Sequence, residues 1–275
     1  MPTQAEKAAH FQALHQGPEP FVIGNPWDAG SAKILTSLGF PALSTTSAGL
    51  AFSLGKKDGT ASVSRAEALA NAKSIVEATE LPVAADLENG YGHSPETVAE
   101  TIRLAAAVGL VGGSIEDATG DPDHPIYDFQ QAVDRISAAA LAAASLPFRF
   151  MLVARAENYL HGHPDLHDTI RRLQAFEAAG AEVLYAPGLA DPEDIRAVCS
   201  SVRRPVNVLM GIKGAPPLSV QQLGELGVRR ISVGSGFARA GFTAFHHAAR
   251  EVIEDGTFTF AEETMYISEL TKLFG

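Results

Sequence analysis

Short, nearly unbroken apolar runs alternate along the chain with longer segments in which apolar residues recur at helical spacing. The runs are Phe21–Asn25, Pro41–Thr45, Pro82–Asp86, Gly112–Asp117, Phe150–Arg155, Glu182–Ala186, Pro205–Leu209 and Arg230–Gly234. Consecutive apolar positions are what strands show when a parallel sheet is covered on both faces. Between the runs, SAKILTSLG opens on Ser31 as a candidate N-cap and stops at Gly39. SVSRAEALANAKSIVEAT places Ser64 three residues before Glu67, the capping-box spacing. SPETVAETIRLAAAVG has Ser94, then Pro95 at the first helical position, and ends at Gly109. The segments YDFQQAVDRISAAALAAAS, DLHDTIRRLQAFEAAG, DPEDIRAVCSSV and LSVQQLGELG continue the alternation.

Eight strands with seven or more helices between them predict an α/β fold, a (β/α)8 TIM barrel, with a doubly wound open sheet as the competing arrangement. No Pro-, Gly- or Ser-rich linker divides the chain, which predicts a single barrel domain over 1–275. Residues 237–275 read as additional C-terminal helices. Such helices serve oligomer contacts or pack under their own barrel.

Composition narrows the partners. Hydrophobic residues make up 46% and charged residues 19% of the chain, which argues against disorder. A formal net charge of −11 argues against nucleic acid or an anionic membrane as partner. An anionic substrate would therefore need a local cation or arginine. The one cysteine, Cys199, leaves no intrachain disulfide to form. MPTQAEKAAH lacks the basic-then-apolar pattern of a signal peptide, and no apolar run reaches the roughly 18–20 residues of a membrane span. The expectation is a cytoplasmic protein acting on a small molecule.

Barrel active sites lie at the C-terminal ends of the strands. There the chain places Asp86 and Glu88, then Glu116 and Asp117, then Arg155, Glu157 and Asn158, with Asp58 in the loop after TTSAG and Asn207 on the seventh strand. A pair of like charges at about 4 Å costs roughly 4 kcal/mol at an effective dielectric near 20. Carboxylates gathered at one rim must therefore protonate, pair with bases or hold a cation. An all-oxygen set suits Mg²⁺, with Mn²⁺ also possible. Solvated loop charges, or ion pairs with Arg155, are the alternative. Arg155 is either an ion-pair partner or a fork for a substrate oxygen. TTSAG either caps a helix or offers backbone N–H groups to a carboxylate. Three other stretches carry weaker signals: HGHPDLH reads as a solvated loop, VGSGFARAG as a low-specificity phosphate-cradle match, and NPWDAGSA as pocket lining or a helix cap.

The stretches TSAGLAFSLGKKDG, VAADLENGYG, GGSIED and VARAEN resemble, in order and spacing, the isocitrate lyase/phosphoenolpyruvate mutase superfamily. The resemblance runs from about Asn25 to about Gly236. It implies a barrel assembled as a homodimer or homotetramer through C-terminal helices. It also implies Mg²⁺ bound directly by Asp86, with Glu88 and Glu116 acting through water and Asp58 ordering metal waters near the substrate. Thr46, Ser47 and Ala48 match the segment that holds a 2-oxo-acid carboxylate, and Arg155 and Asn207 match substrate-binding residues. Glu88 stands where members often have Asp. The Lys-Lys-Cys-Gly-His stretch of isocitrate and methylisocitrate lyases is absent from EDATGDPDHPIYDF, as are the Lys and Asn of phosphonate-bond members, and YAPGL stands where the lyases carry a strand-6 glutamate. The expectation is a Mg²⁺-dependent carbon–carbon lyase acting through an enolate on a small 2-oxo or 2-hydroxy di- or tricarboxylate, in the manner of an oxaloacetate decarboxylase or a weak isocitrate or methylisocitrate lyase. A phosphonopyruvate-type hydrolase or mutase and a non-catalytic 2-oxo-acid binder are the rivals.

Overall fold

All eight apolar runs form strands in a computed structural model, which describes residues 2–274. They are β1 (Phe21–Ile23), β2 (Leu43–Ser44), β3 (Val83–Asp86), β4 (Gly112–Glu116), β5 (Met151–Arg155), β6 (Val183–Tyr185), β7 (Val206–Leu209) and β8 (Arg230–Ser232). Every pairing is parallel, in the order β1-β8-β7-β6-β5-β4-β3-β2. The ring closes between β1 and β2 by a bridge from Gly24 to Leu43. There the Gly24 N–H donates to Ala42 O (3.1 Å) and the Ser44 N–H donates to Gly24 O (2.8 Å). This closure makes the fold a (β/α)8 barrel and excludes the open sheet.

The helices are α1 (Gln4–Gln16), α2 (Ala29–Ser37), α3 (Ser47–Ser53), α4 (Arg65–Glu77), α5 (Pro95–Ala107), α6 (Phe129–Ala144), α7 (Leu166–Ala178), α8 (Pro192–Ser201), α9 (Val220–Glu225), α10 (Gly236–Glu254) and α11 (Ile267–Phe274). Ser64 and Ser94 cap α4 and α5 as their spacing predicts. The cap of α2 is Asp28 rather than Ser31: Ser31 sits at the third helical position and completes a capping box with Asp28. The segment after β2 resolves into the short helix α3, capped by Thr46.

Helix α1 was not among the expected elements. It starts with a capping box between Thr3 and Glu6 and drives Phe11, fully buried, against the barrel interior beside Phe21, Ile23, Val111 and Met151. A Cβ on Gly112 would lie 3.0 Å from the Phe11 ring and 2.9 Å from Met151 O. Only glycine leaves room there for the plug. Strand residues alternate faces. Val206, Val208 and Ile231 pack outward in the layer between barrel and helices, while Met151, Val153 and Val183 fill the lumen. By the same alternation Asn207 and Arg230 point into the lumen, directly opposite each other in the β7–β8 register. No described helix is long and apolar enough to cross a membrane.

Candidate active site

At the C-terminal mouth of the barrel is a cavity of about 200 Å³. Thr46, Ser47, Ala48, Asp58, Asp86 and Arg155 line it, along with Asn25 just after β1 and residues from β4, β6, β7 and β8. Its wall is largely a product of strand parity: Asp86 and Arg155 are the last residues of β3 and β5, both turned inward.

Asp86 is the hub. Its Oδ2 accepts from Ser47 Oγ (2.8 Å), and its Oδ1 accepts from Arg155 Nη1 (2.9 Å) and the Glu88 N–H (3.2 Å). The Asp86 N–H donates to Thr45 Oγ1 (3.0 Å), tying β3 to β2. Burial pushes the Asp86 carboxyl up, but Arg155 and Ser47 outweigh it and hold it below its ordinary value. Arg155, 13% exposed at its side chain, spans three carboxylates. Besides Asp86 it places Nη2 3.2 Å from Glu116 Oε2 and donates Nε to Glu157 Oε1 (2.7 Å). Its guanidinium carbon also lies 5.2 Å from the Tyr185 ring centroid.

One arginine does not neutralise this cluster. Burial pushes Glu88 up to about 7, and Asp86 and Asp58 add to the shift. Burial likewise raises Glu116 well above its ordinary value against the pull of Arg155. Asp58, on the exposed loop before α4, is raised by desolvation and then by Asp86. Glu88 is held at φ +48° and Tyr91 at φ +60°, left-handed conformations that non-glycine residues rarely adopt. The buried Arg135 enforces that turn by donating Nη1 to Gly92 O (2.8 Å) and Nη2 to Asn89 O, while stacking on Tyr127. Among the described residues no three His, Cys, Asp or Glu side chains already converge as a cage; the Arg155 guanidinium reaches both Asp86 and Glu116. The donor set nevertheless fits a hard dication. It is all oxygen and carries more negative charge than Arg155 offsets, and Glu88 has a desolvated carboxyl that forms no ion pair among the described residues, Arg155 acting on it only from a distance.

Three polar residues expected at the rim face elsewhere. Asp117 alternates away from Glu116: its Oδ1 accepts the Glu157 N–H (2.8 Å) and its Oδ2 accepts from Arg172 (3.0 Å), an ion pair outside the lumen. Asn158 is buried in the β5–α7 loop, donating to His163 O, Asp165 O and Thr169 Oγ1. Asn207 lies a layer below the mouth and donates Nδ2 to Ser232 Oγ (3.0 Å). Asn25 seals the barrel, donating to Ser44 O and accepting from the Val233 and Gly234 N–H groups. His161, His163 and His167 are exposed. Cys199 is in α8, its thiol pushed up to about 11 by burial. The sequence did not single out several lumen-facing residues of the cavity, Ser44, Ser114, Tyr185 and Ser232 among them, and the one charged group it missed there is Arg230, at the first position of β8, 5% exposed. Its lumen-facing parity, set by the outward Ile231 that follows it, was the available signal.

A barrel mouth carrying an oxygen-only acidic cluster and one arginine defines a class of enzyme that handles small anions beside a dication. The comparisons show the family to which the chain belongs. Residues 11–253 match the family model described as phosphoenolpyruvate phosphomutase, and the chain belongs to that family. A solved structure from Burkholderia cenocepacia J2315, described as a lyase/mutase, is 54% identical, covers 99% of this chain and 96% of its own, and superposes with a TM-score of 0.96. A 2,3-dimethylmalate lyase of the phosphoenolpyruvate mutase/isocitrate lyase superfamily is 27% identical over 100% of this chain and 96% of its own, with a TM-score of 0.88. An oxaloacetate decarboxylase of Bradyrhizobium diazoefficiens is 28% identical over 95% of this chain and 90% of its own.

Proposed function

We propose that the protein is a Mg²⁺-dependent carbon–carbon bond lyase acting on a small 2-oxo or 2-hydroxy di- or tricarboxylate through an enolate. The observation that carries this is the surplus of desolvated carboxylate around Asp86, next to an arginine in the cavity at the barrel mouth. Asp86 would hold the metal directly, with Glu88, Glu116 and Asp58 reaching it through water. When bound, the dication supplies Lewis-acid stabilisation of negative charge on the substrate oxygen. The chain's own groups do the rest. The backbone N–H groups of Thr46, Ser47 and Ala48 hold the carboxylate next to the carbonyl. Arg155 turns from its carboxylate partners toward the oxygen that gains charge as the bond breaks, where preorganised donors contribute most. Asn207 acts through Ser232: by donating to its Oγ, it leaves that hydroxyl's proton free for the substrate. Water protonates the enolate carbon, because residues 118–128 offer neither Cys nor Lys.

The likeness to an oxaloacetate decarboxylase and to a 2,3-dimethylmalate lyase supports carbon–carbon cleavage; the family description favours phosphorus–carbon chemistry as the second reading. The deciding assay follows pyruvate formation from oxaloacetate with Mg²⁺ or with EDTA, in the wild type and in Asp86→Ala. Metal-dependent turnover that falls at least about a hundredfold in the variant is expected. Turnover indifferent to metal or to the substitution contradicts the proposal. Phosphate release from phosphonopyruvate marks the second reading, and tight binding without product marks a binder. The cytoplasm is the proposed location, and a homodimer or homotetramer the proposed assembly: α10 buries only Ala238 and leaves Phe245 and Ile253 exposed, as are Tyr266 and Ile267 beyond it.

A further inference from the structure

Arg230 is a buried cation with no ion-pair partner among the described residues. It projects from β8 into the lumen, is 5% exposed, and lines the same cavity as Arg155 and Asp86. Among the described residues its Nε and Nη1 have no hydrogen-bond partner, and no carboxylate lies within ion-pairing distance of it. Its charged neighbour is another cation, Arg155; Tyr185 and His15 also stand near it. His15 donates Nδ1 to Phe11 O (2.8 Å), and burial, then Arg230, push the ring down to about 3, so that it is neutral. Burial pushes Arg230 down to about 10; the nearby Tyr185 pulls it back up by more than Arg155 adds to the push. A buried guanidinium left unpaired costs several kcal/mol in general, so a fold keeps one where an anion repays it. The walls between Arg155 and Arg230 are correspondingly polar for a barrel lumen: Ser44, Ser114, Ser232 and the Tyr185 ring face the space. Its volume of about 200 Å³ equals some six or seven waters at ~30 Å³ each, the scale of a four-carbon dicarboxylate.

We propose that Arg230 forms the floor of the substrate site and receives the second anionic group of a substrate that carries two, while the other end is held at the mouth by Arg155 and the acidic cluster. This rests on the 2-oxo/2-hydroxy di- or tricarboxylate reading above and adds to it the residue that receives the second carboxylate, and with it the substrate's orientation along the barrel axis. A substrate with one carboxylate leaves the floor cation unpaired and is disfavoured.

The test is calorimetric and needs no turnover. Dissociation constants are measured with Mg²⁺ present for malate and for 2-hydroxybutyrate, which has a methyl group where malate has its second carboxylate. Wild type is compared with Arg230→Met and Arg230→Lys. Wild type is expected to prefer malate by about thirtyfold or more. Arg230→Met brings the two ligands to near parity by weakening malate alone, and Arg230→Lys recovers part of the preference. The ligand-free melting temperature of Arg230→Met holds or rises, since an unpaired buried charge is gone; if that variant does not fold, Arg230→Lys decides by its reduced preference. No preference in the wild type, or a preference that survives in the Met variant, overturns the proposal and leaves the lyase reading standing. A wild type that binds neither ligand overturns both.

Discussion

Glu88 concentrates the strain of the mouth in one residue: a left-handed backbone, a desolvated carboxyl and acidic neighbours on two sides. Its raised value in the metal-free protein means that the folded state keeps a proton the unfolded state has lost between about pH 4.5 and 7. Stability from this group is therefore fully present below pH 4.5 and is lost as pH rises through 7. Thermal melts without metal are expected to fall over that window, and Glu88→Gln is expected to flatten the fall. Mg²⁺ added at pH 8 is expected to restore the loss. A wild-type melt that is flat across the window and indifferent to Mg²⁺ contradicts the assignment. Asp86, Glu88 and Arg155 were legible in the sequence because each stands at or just past the end of an apolar run. Asp117 and Asn158 stand there too, but parity sends Asp117 to Arg172 and loop hydrogen bonds claim Asn158. Arg230 was illegible for the opposite reason. It begins its run, where a charged residue reads as a solvated flank.

At the scale of elements, the site depends on two supports remote from the chemistry. The first is the turn after β3, gripped by Arg135 through backbone carbonyls of Asn89, Gly92 and His93. Arg135→Met strands those carbonyls and is expected to cost about 1–3 kcal/mol in urea denaturation, together with weaker Mg²⁺ binding. Unchanged stability and metal affinity would show that the turn holds itself. The second is α1, whose Phe11 plugs the lumen against Gly112. Phe11→Ala is expected to cost about 3–5 kcal/mol by the same measurement; a loss below about 1 kcal/mol contradicts the plug. The strands and the caps of α4 and α5 were readable because period and capping chemistry are local. Helix α1 was overlooked because alanine and polar residues dominate it. Its buried residues, Ala8, Phe11 and His15, nonetheless fall at helical spacing behind a Thr3–Glu6 capping box, the signal that would have revealed it.

For the whole molecule, a net charge of −11 and an acidic mouth would repel an anionic substrate unless cations are arranged along its path. Arg155 and the proposed dication would supply them at the mouth, and Arg230 at the floor. The exposed apolar residues of α10 and the segment after it set the second expectation at this scale. Sedimentation velocity is expected to show dimers or tetramers, shifted toward monomer by Phe245→Glu with Ile253→Glu; a monomeric wild type contradicts the proposed assembly. The claim on which the rest depends is that the carboxylates around Asp86 hold a hard dication. Titration of the purified chain with Mn²⁺, followed by the loss of its free-ion electron paramagnetic resonance signal, tests this without any substrate. One competitively Mg²⁺-displaceable ion per chain, abolished in Asp86→Ala, is the expected result. No uptake by the wild type, or equal uptake by the variant, would contradict the account.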